Sequence, residues 1–339
     1  MKRISSIYGK ILDIDNLRLA HKKARKGKTW YKEVKMVDKD INYYLYKIQE
    51  DLINKTYKTS EYSHFIKIDK GKERDIYRLP YYPDRIVQWA IMLQIEEMFL
   101  KTLVYDTYAS IPKRGIHLAL KRVNEVMKNR EGTKYCFKFD IKKFFPNIDK
   151  EILKNLLRRK IKDKNLLWLL DEIIDSSEKG IPIGNYLSQY FANFYLSCFD
   201  HWMKEEKKCK YYFRYMDDVI VLHNSKEFLH NLREEVETYL VGELRLKLKE
   251  NWQVFPTYIR GIDFVGYRSF GDYTLLRKST VKNIKRKTKD INRRGFFKDT
   301  DLNSIMSYKG WLKYCNSYNL EKKYITPILR RYQDAKNTE

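Results

Sequence analysis

The sequence predicts an α+β fold, and three observations predict it. Runs of β-forming residues stand at Ser63 to Leu79, at Tyr135 to Ile141 and on both sides of Tyr215-Met216-Asp217-Asp218. Between and after them lie longer segments whose apolar residues recur at helical spacing, as in helices that bury one face. The 339-residue length is enough for a large core and about two domains.

Taken in order, five basic residues fall between Lys22 and Lys28, ahead of an amphipathic stretch from Asp38 to Leu52 with Ile41, Leu45, Ile48 and Leu52 on one face. The run from Ser63 to Leu79 reads as a hairpin interrupted by Asp69-Lys70-Gly71-Lys72, and Pro80 to Pro83 lead into an apolar helix from Arg85 to Leu100. The strand Tyr135 to Ile141 breaks at Pro146-Asn147. Asn147 or Asp149 can then cap a helix whose Ile152, Leu153, Leu156, Leu157 and Ile161 form one face. A long helix is predicted from Asn185 to Glu205. Lys210 to Tyr215 and Val219 to Leu222 then form a hairpin with the acidic pair in its turn. Phe228 to Leu240 reads as a further helix and Tyr258 to Leu276 as short strands. From Arg277 to Lys298 ten basic residues accompany one acidic residue, around a narrow stripe of Val281, Ile284, Thr288 and Ile291.

The charge balance narrows the classes of function. There are 69 Lys and Arg against 44 Asp and Glu, a formal net charge of +25. A surface this positive repels itself unless polyanions neutralise it, and nucleic acid does so with release of counterions. The basic tract after Arg277 reads as a phosphate-tracking surface, and the 28 Tyr, 16 Phe and 6 Trp supply faces on which bases can stack. A membrane is not the expected partner: no apolar run approaches the ~20 residues of a spanning helix, and Met1-Lys2-Arg3-Ile4-Ser5 lacks a signal peptide's apolar block. Cys136, Cys198, Cys209 and Cys315 have no metal-type spacing, so no zinc site is expected, and a reduced, cytoplasmic setting is.

The chemistry is expected at the carboxylates. Asp217 and Asp218, held side by side on a hairpin, repel each other unless a cation neutralises them, and oxygen-only ligands favour Mg²⁺ over softer metals. Asp140, at the end of its strand, is the natural third carboxylate. Phosphoryl transfer on two metal ions needs at least two bridging carboxylates, a role for Asp140 and Asp217, with Asp218 in support.

These features resemble a reverse transcriptase. That family has an Asp at a strand end with an aromatic five positions on, matched by Asp140 and Phe145. It has a Gly-x-Pro-x-Gly-x-x-x-Ser segment opening a helix, matched by Gly180 to Ser188, and a Tyr-x-Asp-Asp hairpin, matched by Tyr215 to Asp218. All three occur in the family's order, and the resemblance runs from about residue 60 to 270. It implies a right-hand polymerase: a basic N-terminal segment (1–60), fingers and an antiparallel palm backed by helices (61–270), and a basic helical thumb (271–339).

The activity implied is RNA-templated DNA synthesis on two Mg²⁺, with Mn²⁺ as an alternative, held by Asp140, Ile141, Asp217 and Asp218. Phe145 would lie under the sugar of the incoming deoxynucleotide and leave no room for a 2′-hydroxyl. Lys72 and Arg74 on the fingers hairpin would contact the triphosphate. Gly184 would let the backbone approach the nascent base pair, Gly261 to Tyr267 would grip the primer end, and the tract after Arg277 would hold the duplex. Lys249 is the candidate for the lysine that protonates the departing pyrophosphate, with Lys247 its neighbour in the same region.

Within the family, group II intron enzymes usually carry Gln-Gly at the fourth and fifth positions of the Gly-x-Pro segment and Ser-Pro at its end. Here they are Ile183-Gly184 and Ser188-Gln189. A Gln there hydrogen-bonds the nucleotide's sugar and Ile cannot, which implies looser selection. Ile183-Gly184-Asn185, Ser188-Gln189 and Asn251-Trp252-Gln253-Val254-Phe255-Pro256 resemble the reverse transcriptases of diversity-generating retroelements, bacterial or phage-encoded. Those enzymes copy a template RNA with frequent errors at adenines, assisted by a small basic accessory variability protein. The expected partners are therefore template RNA, primer and cDNA, deoxynucleotide triphosphates and that protein. The length is expected to leave nothing for an RNase H, endonuclease or integrase domain. A retron-type or defence-associated reverse transcriptase is the nearest alternative, and a non-catalytic maturase-like RNA-binding factor the alternative of another class.

Overall fold

The computed structural model describes residues 3–69 and 72–338, with the side chains of Lys67, Asp69, Lys72, Arg74, Asp299 and residues 335–338 outside that description. It divides into two compact units, each assembled from separated stretches: Met1–Tyr105, Ile141–Lys207 and Glu235–Lys249 in the first, and Asp106–Asp140, Lys208–Glu234 and Glu250–Glu339 in the second.

The first unit is mostly helical. Helices Tyr8–Leu12, Ile14–Ala24, Lys32–Lys39 and Ile41–Ile53 precede an antiparallel hairpin of β1 (Ser63–Asp69) and β2 (Lys72–Arg78). The helix predicted from Asp38 to Leu52 is present as Ile41–Ile53 and buries Leu45, Ile48 and Leu52, while Asp38 and Lys39 belong to the end of the preceding helix. Asp40 leaves the helical conformation at φ −145° and its carboxylate accepts the Tyr43 amide at 3.1 Å, so it ends one helix and caps the next. Helix Ile86–Thr102 buries Ile86, Ala90, Ile91, Met92, Ile95 and Phe99, apolar nearly all round as a core helix must be.

Asp149, one of the two caps anticipated, accepts the Ile152 amide at 3.0 Å and starts helix Lys150–Lys160. The predicted helix Asn185 to Glu205 is broken at Leu196 into Tyr186–Tyr195 and Ser197–His201, followed by a wide turn at Trp202–Glu206. Helix Tyr186–Tyr195 has no cap from its own Asn185; the Gln88 side-chain carbonyl accepts the Tyr186 and Leu187 amides at 3.0 and 3.3 Å. A cap supplied from another helix satisfies the same orphan donors.

The second unit holds the sheet that carries the acidic hairpin. Strands β3 (Tyr135–Asp140), β4 (Tyr211–Tyr215), β5 (Asp218–His223) and β6 (Gln253–Pro256) lie in the order β4-β5-β3-β6, all antiparallel. Central β5 is buried continuously from Val219 to Leu222, as expected of a strand with neighbours on both edges and packing on both faces. A three-stranded sheet follows, β7 (Ile262–Phe264), β8 (Tyr267–Ser269) and β9 (Thr274–Leu276). The run predicted from Tyr258 is helical at Thr257–Arg260 before these strands begin. Cys136, Phe213, Ile220, Phe255, Phe264, Ile284 and Ile291 join one core.

Basic helix Lys278–Arg294 buries Ile284, Thr288 and Ile291, the stripe read from the sequence, and leaves Lys282, Lys285, Arg286, Lys289 and Arg293 exposed. It ends at Gly295, whose φ of 80° suits glycine. No helix among the described residues is long and apolar enough to cross a membrane, and the four cysteines are free thiols.

Candidate active site

The three carboxylates are placed by the ladder of the four-stranded sheet. Asp140, the last residue of β3, sits directly opposite Asp218, the first of β5, while Tyr215 faces Asp218 from β4. Met216 and Asp217 are therefore the two residues of the hairpin turn. Met216 takes the left-handed conformation at φ 58°, which costs a non-glycine residue about 1 kcal/mol or more. Its carbonyl accepts a hydrogen bond from Arg214 Nη1 at 3.0 Å.

Lys138, two residues before Asp140 and so on the same face of β3, brings an ammonium to this corner. Its Nζ lies 3.2 Å from Asp218 Oδ1 and 3.4 Å from Oδ2, and donates to the Asp263 carbonyl. Arg277 in turn pairs with the Asp263 carboxylate at 2.6 Å. The Asp218 side chain is 23% exposed. Burial pushes its carboxyl up to about 6, with Asp140 adding to the rise and Lys138 and Arg277 opposing it.

Asp218 Oδ1 is buried and accepts no hydrogen bond, because the Lys138 contact is within ion-pair reach but poorly aligned. Two facing carboxylates, one with a buried oxygen that accepts no hydrogen bond, are chemistry that suits a hard divalent cation, which would share the corner with the Lys138 ammonium. Among the described residues no three His, Cys, Asp or Glu side chains are already drawn together as a metal cluster. Ile141 is 2% exposed and bridges Leu248, so a ligand from it would be its backbone carbonyl.

Gly261 to Tyr267 lie in the second unit, while the nucleotide-binding candidates lie in the first, where the Gly-x-Pro-x-Gly segment links the Phe145 backbone to the β1–β2 hairpin. The Phe145 carbonyl accepts the Ile181 amide at 3.1 Å, and the Ile183 carbonyl accepts the Tyr77 amide of β2 at 3.0 Å. The Gly-x-Pro-x-Gly segment is thus tied at one end to the Phe145 backbone and at the other to the β1–β2 hairpin. Both glycines are required by that fit. A Cβ at Gly180, whose φ is +55°, would stand 2.2 Å from the Phe145 carbonyl oxygen, and one at Gly184, whose φ is +130°, 2.3 Å from that of Tyr77.

Phe145 and Ile183 are half-buried, as is Gln189 on helix Tyr186–Tyr195. Lys249 is half-buried in an irregular stretch after Leu248, and the neighbouring Lys247 carbonyl accepts the Lys142 amide at 2.9 Å. Lys72 and Arg74 are on β2, but their side chains lie outside the described residues. Lys138, Asp263, Arg277 and Arg214 were not singled out from the sequence. Lys138 was findable, since strand alternation places it beside Asp140; the Asp263–Arg277 pair depends on a fold-level approach that no local pattern encodes.

Residues 58–268 match the family described as reverse transcriptase (RNA-dependent DNA polymerase). The chain is similar to Protein YkfC of Escherichia coli K12, 24% identical over 248 residues that cover 60% of this chain and 65% of that protein. It is also similar to the retron Ec73 reverse transcriptase of Escherichia coli, 24% identical over 283 residues covering 78% and 86% of the two chains. With the group II intron-encoded protein LtrA of Lactococcus lactis it shares 22% identity over 285 residues, 62% of this chain. The chain thus spans just under two thirds of YkfC and 46% of LtrA. With the family match extending over more than half its length, this chain belongs to the reverse transcriptase family.

Proposed function

We propose that the chain is an RNA-templated DNA polymerase, in which a primer 3′-hydroxyl attacks the α-phosphate of a deoxynucleotide in line. The observation that carries this reading is the sheet register that sets Asp140 opposite Asp218 with Asp217 in the adjoining turn. Asp140 and Asp217 would hold the two Mg²⁺, or Mn²⁺, with Asp218 and the Ile141 carbonyl in support. When bound, such ions lower the pKa of the attacking hydroxyl and neutralise charge on the leaving pyrophosphate. Phe145 would exclude the 2′-hydroxyl, Lys72 and Arg74 would hold the triphosphate, and Lys249 would protonate the leaving group. The test is primer extension by the purified chain with an RNA template, a DNA primer and deoxynucleotides. Extension that requires the RNA and stops on chelation supports the reading. RNA binding without synthesis on any primer would replace it with the maturase-like factor.

The finer reading is that this polymerase makes error-rich cDNA for a diversity-generating retroelement, with a small basic accessory protein as partner. Ile183 supports it, since an apolar side chain there forgoes a hydrogen bond that would discriminate between nucleotides. One such bond is worth about 1 kcal/mol net, so Ile183→Gln is expected to lower misincorporation opposite template adenine roughly fivefold. Error rates measured opposite all four template bases check this, and unchanged rates would remove Ile183 from the account.

The retron-type reading is favoured by a different observation, the match to the retron Ec73 enzyme over most of both chains. Sequencing cDNA made with and without a candidate accessory protein separates the two. Substitutions concentrated at adenines support diversification, and a faithful copy of one defined RNA supports the retron type.

A further inference from the structure

We infer that Arg214 is a positioning residue for the acidic hairpin, holding the strained Met216–Asp217 peptide in the orientation that aims the Asp217 carboxylate; this rests on the polymerase reading. Arg214 is fully buried, the largest side chain among the described residues to be so. A guanidinium withdrawn this far from water is costly unless its donors are used. One of them is used on the Met216 carbonyl, at 3.0 Å.

The root of the side chain is fixed as well. The Arg214 amide donates to the Asp106 carbonyl at 2.9 Å and its carbonyl accepts the Tyr108 amide at 3.0 Å, while β4 pairs it with Val219 of β5. The guanidinium therefore starts from a backbone held on both edges.

The bond lands where the hairpin is under tension. Met216 at φ 58° has alternatives of lower energy, and rotation of its peptide would turn the following residue, Asp217. A hydrogen bond to the Met216 carbonyl from a donor that cannot move opposes that rotation. Nothing in this requires Arg214 to touch primer, nucleotide or metal. Its effect passes through one peptide plane.

The test is a double-mutant cycle. Arg214→Met is expected to lower kcat for primer extension about thirtyfold, while KM for primer–template and RNA affinity stay within about twofold. Mn²⁺ affinity, read by electron paramagnetic resonance without substrate, should weaken about tenfold, and the Met216 and Asp217 amides should exchange hydrogen faster. Glycine adopts the left-handed conformation freely, so in a Met216→Gly background the loss from Arg214→Met should shrink to about threefold or less. Arg214→Lys, which keeps the buried charge and is the variant to use if Arg214→Met does not fold, should lie between wild type and Met.

An equal loss in both backgrounds, or a thirtyfold loss with unchanged Mn²⁺ binding and exchange, would overturn the proposal. Failure of the polymerase reading is recognised separately, as a wild-type chain that makes no DNA. The Mn²⁺ and exchange measurements still decide the role of Arg214 in that case.

Discussion

Asp217→Asn is expected to reduce primer extension by about a thousandfold or more, at least the loss that follows removal of one electrostatic stabiliser of a transition state. The variant keeps the shape of the side chain and most of its hydrogen-bonding capacity, so the β4–β5 hairpin should form as before. What it loses is the negative charge with which Asp217, in the proposed mechanism, would help to hold a divalent cation. The measurement is single-turnover extension at saturating primer–template, with RNA affinity and the thermal midpoint taken alongside. Affinity for RNA should be retained, because the charge expected to track phosphates lies elsewhere, on exposed lysines and arginines such as Lys282, Lys285 and Lys289. Synthesis at near wild-type rate would sink the assignment of Asp217. Loss of both synthesis and folding would be resolved by Asp217→Ser, which removes the same charge with a smaller side chain.

The positions of the candidate site residues were more legible in the sequence than those of their supports. Asp140, Asp217 and Asp218 were legible because a strand-final Asp and a two-residue hairpin turn are local patterns, and the structure sets Asp140 and Asp218 in register. The buried stripe of helix Lys278–Arg294 was legible for the same reason, as a periodicity within one element. Helix boundaries were read less well where a cap competes with propensity. Asp40 caps one predicted helix and starts it at Ile41, later than read, and Leu196 interrupts another that looks continuous in sequence.

Least legible were groups that act across long separations. Gln88 caps a helix that begins 98 residues later, and Tyr77 meets the backbone of Ile183 and the missing side chain of Gly184. The glycines of the Gly-x-Pro-x-Gly segment show the difference. Their spacing marked the motif, but only the structure shows that Phe145 and Tyr77 carbonyls occupy the space a side chain would need. Arg214 could be seen next to the hairpin, yet nothing local shows that it is fully buried and bonded to the carbonyl of a left-handed residue.

The second large effect is expected at Asp301, which ties the basic helix to the one that follows it. Asp301 is 0% exposed. Its Oδ1 pairs with Lys287 Nζ at 2.7 Å, and its Oδ2 accepts Arg294 Nη2 and the Lys298 amide at 2.8 Å each. Burial alone would raise its pKa, but Lys287, the Lys298 amide and Arg294 together overcome this and hold it at about 2. A carboxyl whose pKa is lower in the folded chain than the ~3.9 of an unfolded one stabilises the fold above pH ~4 and ceases to do so as pH falls towards 2. The shift corresponds to about 2 kcal/mol at neutral pH.

Asp301→Asn removes that contribution and also leaves two cations facing a neutral amide, Arg294 being 15% exposed and Lys287 26%. A loss of about 3 kcal/mol is therefore expected at pH 7, in line with breaking a buried ion pair from one side. Denaturant unfolding of both proteins from pH 7 to pH 2 checks it. The gap between them should be widest above pH ~4 and narrow as acid protonates Asp301 in the wild type, because only the wild type has this carboxylate to lose. A gap that stayed constant with pH would mean that Asn acts through packing and not through the lost charge.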